Sequence, residues 1–440
     1  ADADDGIRTR QAGSFSLVTL GLSGREYTDY YLGFANRAVW PLFHGRTDLF
    51  RFDPDEFATY RAVNRKFARR FGPLLHRHDL VWIHDYHLFF LGQELRRLGT
   101  RLPLGYFLHI PFPAGDTLAA LPCHRAIVEA LLAYDLVGFQ TENDVRNFQE
   151  FVVRHLDGAV SGDGTVFALG RKVRTGAFPI GIDTRQFEET AASEEVANLG
   201  ERVRKYFCSR FGIIGVDRLD YTKGLAHRLR AFERFIEIAP RYRGRAFLFQ
   251  IAAPSREQLA EYVDLKSELE AMTGRINARH SDVGWTPVRY LNQSFGQTCL
   301  AALYRRSRVG LVTPLRDGMN LVAKEYVAAQ DPEDPGVLIL SRFAGAAERL
   351  SGALLVNPHN IEGVATAMCE ALEMPRRERR ARWSEMIAEL RKHDIHDWRD
   401  NFLRTLEDAR RWQEYKRPPY PMAAISTAGR QREEDDFEVL

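Results

Sequence analysis

From Leu80 to Leu372, short apolar runs rich in Val, Ile, Leu and Phe alternate with longer amphipathic runs. That alternation restricts the chain to parallel sheets with crossover helices. In the first half, Leu80–Ile83, Leu104–His109 and Leu136–Phe139 predict strands, with a helix over about 88–98 between the first two. Pro111 and Pro113 end the second strand in a loop. Thr141, three residues before Asp144, opens a helix reaching about Val153 through a capping-box-like start. In the second half, Phe211–Val216, Phe247–Ala252, Val309–Val312, Val337–Leu340 and Leu354–Val356 predict strands. Helices are expected over Leu225–Ile238, up to about Met272, and over Phe295–Arg305, Met319–Gln330 and Ile361–Leu372. A chain of 440 residues exceeds one ordinary core and suits two of about 200 residues each. The fold class expected is α/β, with two doubly wound domains and a cleft between them.

Pro179–Asp183 marks the end of the first domain, so the expected division is 1–183, 184–375, a helical segment 376–415 that crosses back to the first domain, and a tail over 416–440. The stretch Thr184–Val203 is expected to be a linker or surface helix. Ala1–Gly13 is polar, and Phe15–Leu20 is the first expected strand. Since such domains usually open on a buried strand, a segment upstream of this numbering is expected. A formal net charge of +2 carries no nucleic-acid or membrane signature, so a basic site has to be local. Cys123, Cys208, Cys299 and Cys369 are far apart and form neither a disulfide framework nor a metal-ligand pattern. With no membrane-length apolar run and no signal peptide, a cytoplasmic location is expected.

Three segments hold residues suited to chemistry. In Thr313–Tyr326 a strand runs through a turn at Gly318 into a helix, whose first amides suit a phosphate. Asp317 then lies at the cleft edge, where a carboxylate accepts from sugar hydroxyls, and Glu325 suits ribose hydroxyls. An ordinary capped strand–turn–helix fits the same pattern equally well. In Gly215–Gly224, Arg218 and Lys223 leave a buried strand at its carboxyl end, where two cations neutralise a departing diphosphate without a metal; a solvated surface pair is the alternative. In Trp82–His87 and Phe107–Pro113, Asp85 suits an acceptor hydroxyl and His109 the reacting sugar. His84, Asp85 and His87 as metal ligands fit less well, because adjacent residues after a strand diverge. Asp53-Pro-Asp55 is expected to be a turn. The glycine fingerprints of dinucleotide-binding and P-loop proteins are absent.

Together these segments resemble glycosyltransferase family 20, the trehalose-6-phosphate synthases, from about Tyr30 to Trp412. The resemblance is carried by Trp40–His44, Trp82–His87, Leu108–Pro113, Gly138–Asn143, Phe178–Asp183, Arg218–Gly224, Gly284–Pro287, Tyr290–Asn292, Thr313–Gln330 and Phe343–Ala346. It implies the GT-B fold and a retaining, metal-independent, front-face transfer of glucose from a nucleotide-glucose, most simply UDP-glucose, to glucose 6-phosphate. No cofactor is implied, and a dimer or tetramer is. On the donor side it implies Arg218 and Lys223 as the diphosphate clamp and Asp317 on glucose hydroxyls. Asn320, Leu321 and Val322 would supply amides, Glu325 would hold ribose, and Ile251 and Phe295 would flank the base. On the acceptor side it implies Tyr31, Trp40, Asp85 and Arg256, with Tyr31 and Arg256 on the phosphate, and it places His109 beside the transferred sugar. The family's opening Ser-Asn-Arg and Gly-Gly turn are not found in this sequence. A sister enzyme with another acceptor, such as a glucosylglycerol-phosphate synthase or a pseudo-glycosidic coupling enzyme, and a catalytically silent sugar-phosphate-binding relative remain alternatives.

Overall fold

The computed structural model describes residues 6–207 and 210–415; the segment 416–440 and Cys208 lie outside the described residues. The expected strand Phe15–Leu20 forms as β2, but it pairs antiparallel with a strand the polar composition hides, β1 (Ile7–Ala12). The hairpin belongs to neither large sheet.

The first lobe is a sheet of β3 (Val81–His84), β4 (Leu104–Phe107), β5 (Leu136–Phe139), β6 (Ala159–Val160), β7 (Thr165–Ala168) and β8 (Arg171–Ala177), in the order 3-4-5-8-7-6. Strands β3, β4, β5 and β8 are parallel, and β8, β7 and β6 form an antiparallel meander. The second lobe contains β9 (Phe211–Arg218), β10 (Ala246–Ala253), β11 (Val288–Leu291), β12 (Val309–Val312), β13 (Val337–Ser341) and β14 (Leu354–Val356). Their order is 11-10-9-12-13-14, with every pairing parallel. Helices cover both faces of such a sheet, so its strands are apolar throughout rather than alternating; β12 and β13 are buried at every position. The strand order runs outward in opposite directions from β9 and β12. The crevice beyond their carboxyl ends is therefore the topological switch point where open α/β sheets bind ligands.

Several elements differ from the sequence expectation. Thr184–Ala191 and Glu194–Phe207 are two helices, and Phe187, Ala191 and Val196 are buried in the second lobe's core. This stretch is thus structural body rather than linker or surface. The helix expected to stop near Met272 continues to His280, and β11 and the meander strands β7 and β8 were not separable from turn residues in the sequence. Residues Tyr27–Val39 form a π-helix, a rare geometry that collects at functional sites. Asp53 caps the helix Pro54–Phe71, accepting from the Asp55 and Glu56 amides, so Asp53-Pro-Asp55 is a helix start.

Of the two C-terminal helices, Arg376–Lys392 stays with the second lobe, where Trp383, Met386, Ile387 and Leu390 are buried. The helix Ile395–Tyr415 crosses to the first lobe and sets Phe402 and Leu406 into a cluster with Phe107, Leu136 and Phe178. Gly105 and Gly138 leave the room that the Phe402 ring fills. Among the described residues no helix is long and apolar enough to cross a membrane.

Candidate active site

The loops after β9 and β12 leave the switch point and are tied together. The Leu315 amide donates to the Thr222 carbonyl at 2.7 Å. Gly224 adopts φ +66, and a Cβ there would collide with the Thr313 carbonyl, which explains glycine at the junction of loop and helix. The loop after β12 is in turn pinned to Phe343–Ala346: the Asp317 amide donates to the Phe343 carbonyl at 3.1 Å, and the Ala346 amide to the Met319 carbonyl at 2.9 Å.

Lys223 and Asp317 meet in this corner, Nζ to Oδ2 at 2.5 Å, with side chains 11% and 13% exposed. Burial alone pushes the Asp317 carboxyl up, but the Lys223 charge and hydrogen bond outweigh it and hold the carboxyl below its ordinary range. Asn320 Nδ2 donates to the same oxygen at 3.0 Å. Asn320 also caps the helix Leu321–Ala328: its backbone is left-handed (φ +74) and its side chain accepts from the Ala323 amide. The cap takes the third helical amide, so among the described residues the Leu321 and Val322 amides have no partner at the positive end of the helix. Glu325 lies one turn on, accepts from the Tyr304 hydroxyl at 3.4 Å, and is pushed up by burial. Ile251 at the end of β10 and Phe295 pack into the same apolar cluster. Arg218 is exposed at the end of β9, with its guanidinium 5.4 Å from the Trp40 ring centroid.

Trp40 belongs to the first lobe, and it is flanked a second time by Arg256, whose guanidinium lies 4.0 Å from the ring centroid. Arg256 has left-handed backbone (φ +48), a strained conformation for a bulky side chain. Its Nη1 donates to Asp220 at 3.2 Å and to the Tyr262 hydroxyl at 2.5 Å, and its Nη2 donates across the lobes to the Tyr86 hydroxyl at 3.0 Å. Tyr86 passes the chain of bonds on to Asn36. Asp220 is fully buried; desolvation raises its carboxyl, and the charges of Arg256, Arg218 and Lys223 lower it by more. Asp85 has φ +70 and accepts from the His109 amide at 3.3 Å; burial lifts its carboxyl to about 6 against the pull of Arg218 and Arg256. Tyr31, on the π-helix, stacks on His87 with centroids 5.5 Å apart. The indole N–H of Trp40 and the Nε–H of Arg256 are buried without a partner among the described residues, the kind of orphaned donor that marks a polar site.

The lobes touch where the two half-sites meet. Gly318 packs on the His109 carbonyl so closely that a Cβ would overlap it, and Gly345 packs likewise on the Gly318 carbonyl. Thus Arg218 reaches Trp40 across the lobes, and Lys223, Asp317 and Asn320 stand in the corner whose Gly318 touches His109 and, through it, Asp85. Leu321, Val322 and Glu325 follow on the helix that Asn320 caps, and Tyr31 lies on the π-helix beside His87. Arg256 reaches from the second lobe to Trp40 and Tyr86 in the first. Asp220, Tyr86 and Tyr262, which hold Arg256, were not expected from the sequence. Asp220 lies within Arg218–Gly224 and Tyr86 within Trp82–His87, whereas nothing local distinguishes Tyr262.

The chain matches the model of glycosyltransferase family 20 over residues 2–408. It is 48% identical over 396 residues to the trehalose-6-phosphate synthase of Sinorhizobium fredii (strain NBRC 101917 / NGR234), covering 90% of this chain and 85% of the relative. Among solved structures it is similar to a UDP-forming α,α-trehalose-phosphate synthase from Burkholderia xenovorans in complex with glucose-6-phosphate. The TM-score is 0.90 and the identity 46%, covering 91% of this chain and 89% of that one. It is also similar to a trehalose-6-phosphate synthase studied with bisubstrate glycomimetics of glycosyltransfer with retention (TM-score 0.89, identity 41%, 93% and 91% covered). The two-lobed arrangement is the GT-B fold these structures share.

Proposed function

The chain belongs to glycosyltransferase family 20, and we propose that it transfers glucose from UDP-glucose to glucose 6-phosphate with retention, giving trehalose 6-phosphate. The observation that carries the reading is the crevice itself. Two cations and two free helix amides stand at a topological switch point, and they face a second polar site whose wall includes Trp40, Asp85 and Arg256. Arg218 and Lys223, with the Leu321 and Val322 amides, take up the charge that develops on the departing diphosphate. Asp317 and Asn320 orient the glucose hydroxyls, and Glu325 receives the ribose. Tyr31 and Arg256 hold the acceptor phosphate, while Asp85 orders the attacking sugar.

In a front-face transfer the acceptor hydroxyl adds to the anomeric carbon on the side the diphosphate leaves. The bond from that carbon to the phosphate oxygen breaks, and the leaving phosphate takes the hydroxyl proton. The protein then supplies positioning and fixed charge, and no side chain forms a covalent intermediate. With the diphosphate neutralised by side chains and amides, no divalent ion is required. The glucose-6-phosphate complex and the UDP-forming name of the Burkholderia xenovorans relative, together with the retention studied in the other structure, support this assignment.

The test is turnover of UDP-, GDP- and ADP-glucose against glucose 6-phosphate in chelator, with product mass measured. A non-reducing disaccharide phosphate from UDP-glucose is the expected result. Transfer only to a different sugar or polyol phosphate would move the chain to a sister activity. Loss of turnover in chelator that magnesium or manganese restores would overturn the charge assignment.

A further inference from the structure

We infer that His84 is a positioning residue for the transfer: it holds the imidazole of His109 by a ring-to-ring hydrogen bond, so that only Nδ1 of His109 is turned to the substrate. The inference rests on the reading that His109 lies beside the transferred sugar. His84 ends β3, and β3 pairs in parallel with β4 so that His84 stands opposite Phe107. His109, two residues further on, therefore emerges beside it. His84 Nδ1 lies 3.0 Å from His109 Nε2, with ring centroids 5.3 Å apart and planes inclined by 25°. Among the described residues the His109 ring has no other hydrogen-bond partner.

The main chain of His109 is already fixed on both sides, its amide by Asp85 at 3.3 Å and its carbonyl by the close approach of Gly318. What the backbone leaves free is rotation of the ring, and His84 removes it. Burial pushes both imidazoles down to about 4, the second helped by its neighbour, so two neutral rings face each other. In a neutral imidazole one nitrogen donates and the other accepts. The shared edge therefore fixes the orientation of His109 and couples the two tautomers, so that Nδ1 of His109 donates when His84 Nδ1 donates and accepts when His84 Nδ1 accepts. His84 itself is held by aromatic packing: Trp82 lies 4.6 Å and Trp398 6.1 Å away, centroid to centroid. Trp398 also sits edge-on to Phe107 at 5.2 Å and 6.2 Å from His109. Trp398 is on the helix that crosses back from the second lobe, so this crossing helix supports the histidine pair as well as the first lobe's core.

Two substitutions separate the hydrogen bond from the packing. His84→Phe keeps a ring against Trp82 and Trp398 but removes the nitrogen, whereas His84→Asn puts an amide where Nδ1 stood. In His84→Phe, kcat/KM for UDP-glucose should fall about tenfold to a hundredfold, the scale of leaving one buried partner unmade. The KM for glucose 6-phosphate should stay within about twofold. His84→Asn should recover most of the loss, which a merely structural role for the ring would not allow. Independently of kinetics, ¹⁵N spectra of the native protein should show a trans-hydrogen-bond coupling between His84 Nδ1 and His109 Nε2, with no titration of either ring between pH 5.5 and 8. The hydrogen-bonded Nε2 shift of His109 should be lost in His84→Phe and return in His84→Asn. A His109 Nε2 without that coupling and shift in the native protein overturns the inference even where His84→Phe fails to fold. Wild-type kinetics in His84→Phe alongside a crippled His109→Phe overturns it while leaving the reading of His109 intact. Wild-type kinetics in His109→Phe would instead remove His109 from the site.

Discussion

Lys223→Ala tests the donor corner most directly. It removes an ammonium 2.5 Å from the Asp317 carboxylate in a pair whose side chains are 11% and 13% exposed. With an effective dielectric of about 20, the Coulomb attraction at that distance is roughly 7 kcal/mol. Desolvation of both groups offsets much of it, and breaking such a pair by deleting one member costs about 3–5 kcal/mol, because the other is left buried and uncompensated. In the native protein Asp317 is held below its ordinary range, so it contributes stability above that range and loses it as pH falls through the folded value. Without Lys223, burial acts with less opposition and raises the carboxyl, although the Asn320 hydrogen bond still favours the anion. The deficit of the variant should therefore be about 3 kcal/mol or more in urea unfolding at pH 7.5 and should shrink as the pH is lowered toward 4. Turnover should fall further, by about a hundredfold to a thousandfold, since a fixed donor to the developing diphosphate charge is also lost. Folding is monitored by circular dichroism and turnover by UDP release. An unchanged stability deficit at both pH values would refute the ion-pair account, and turnover within tenfold of native in a folded variant would remove Lys223 from the clamp.

Arg218→Ala, in contrast, breaks no direct ion pair among the described residues, though its charge helps hold the Asp85 and Asp220 carboxyls down; it should cost less stability than Lys223→Ala while cutting UDP release at least about a hundredfold, and calorimetry should find acceptor binding close to native. Gly318→Ala forces a methyl group against the His109 carbonyl, so the lobes should be wedged apart, with turnover lost and a larger radius of gyration by small-angle scattering but unaltered secondary structure. Asp85, lifted to about 6 by burial, should give kcat/KM for glucose 6-phosphate an acid limb near pH 6 if the anion orders the acceptor. Asp85→Asn should be low and flat with pH, and no less stable than native at pH 8, because ionising a carboxyl whose folded value is raised costs stability as pH rises. Phe402→Ala empties a fully buried site stacked on Trp82 at 4.4 Å and should cost about 3–5 kcal/mol, with faster amide exchange in β4 and β5.

How much of this was legible depends on whether the information was local. Strands such as Val309–Val312 were readable because burial on both faces makes them continuous apolar runs, and Thr141 announced its helix through a cap that needs only three residues. The antiparallel β1 was not readable, since Ile7–Ala12 is largely exposed and, unlike its partner Phe15–Leu20, is mostly polar with no periodic apolar face. The division of labour between the last two helices was also hidden: both are rich in charge, and only the glycines at 105 and 138 reveal that Phe402 is received by the first lobe. In the site, charged residues beside strand ends were visible because the sheet pattern says where strand ends point. Tyr86 and Tyr262 were not, because their importance comes from long-range bonds to Arg256 that no local spacing encodes.

Arg256 also bears on how the two substrates depend on each other. It is carried by the second lobe, yet it lies against Trp40 and donates to Tyr86 in the first. The acceptor wall is therefore complete only when the lobes are in contact, and that contact is made at Gly318 against His109, between donor and acceptor. A ligand that favours the closed arrangement must raise the apparent affinity of the other site, because it has already met the cost of bringing Arg256 into place. Binding of UDP should thus tighten glucose 6-phosphate, and linkage requires glucose 6-phosphate to tighten UDP by the same factor. Asp220→Asn provides the control. It leaves Arg256 charged and still bonded to Tyr262 and Tyr86 but removes the carboxylate charge of its 3.2 Å ion pair, so the acceptor should still be attracted while the coupling factor falls. Equal coupling in the native protein and in a folded Asp220→Asn variant, measured by calorimetry with each ligand in turn, would show that the anchored arginine does not carry the communication.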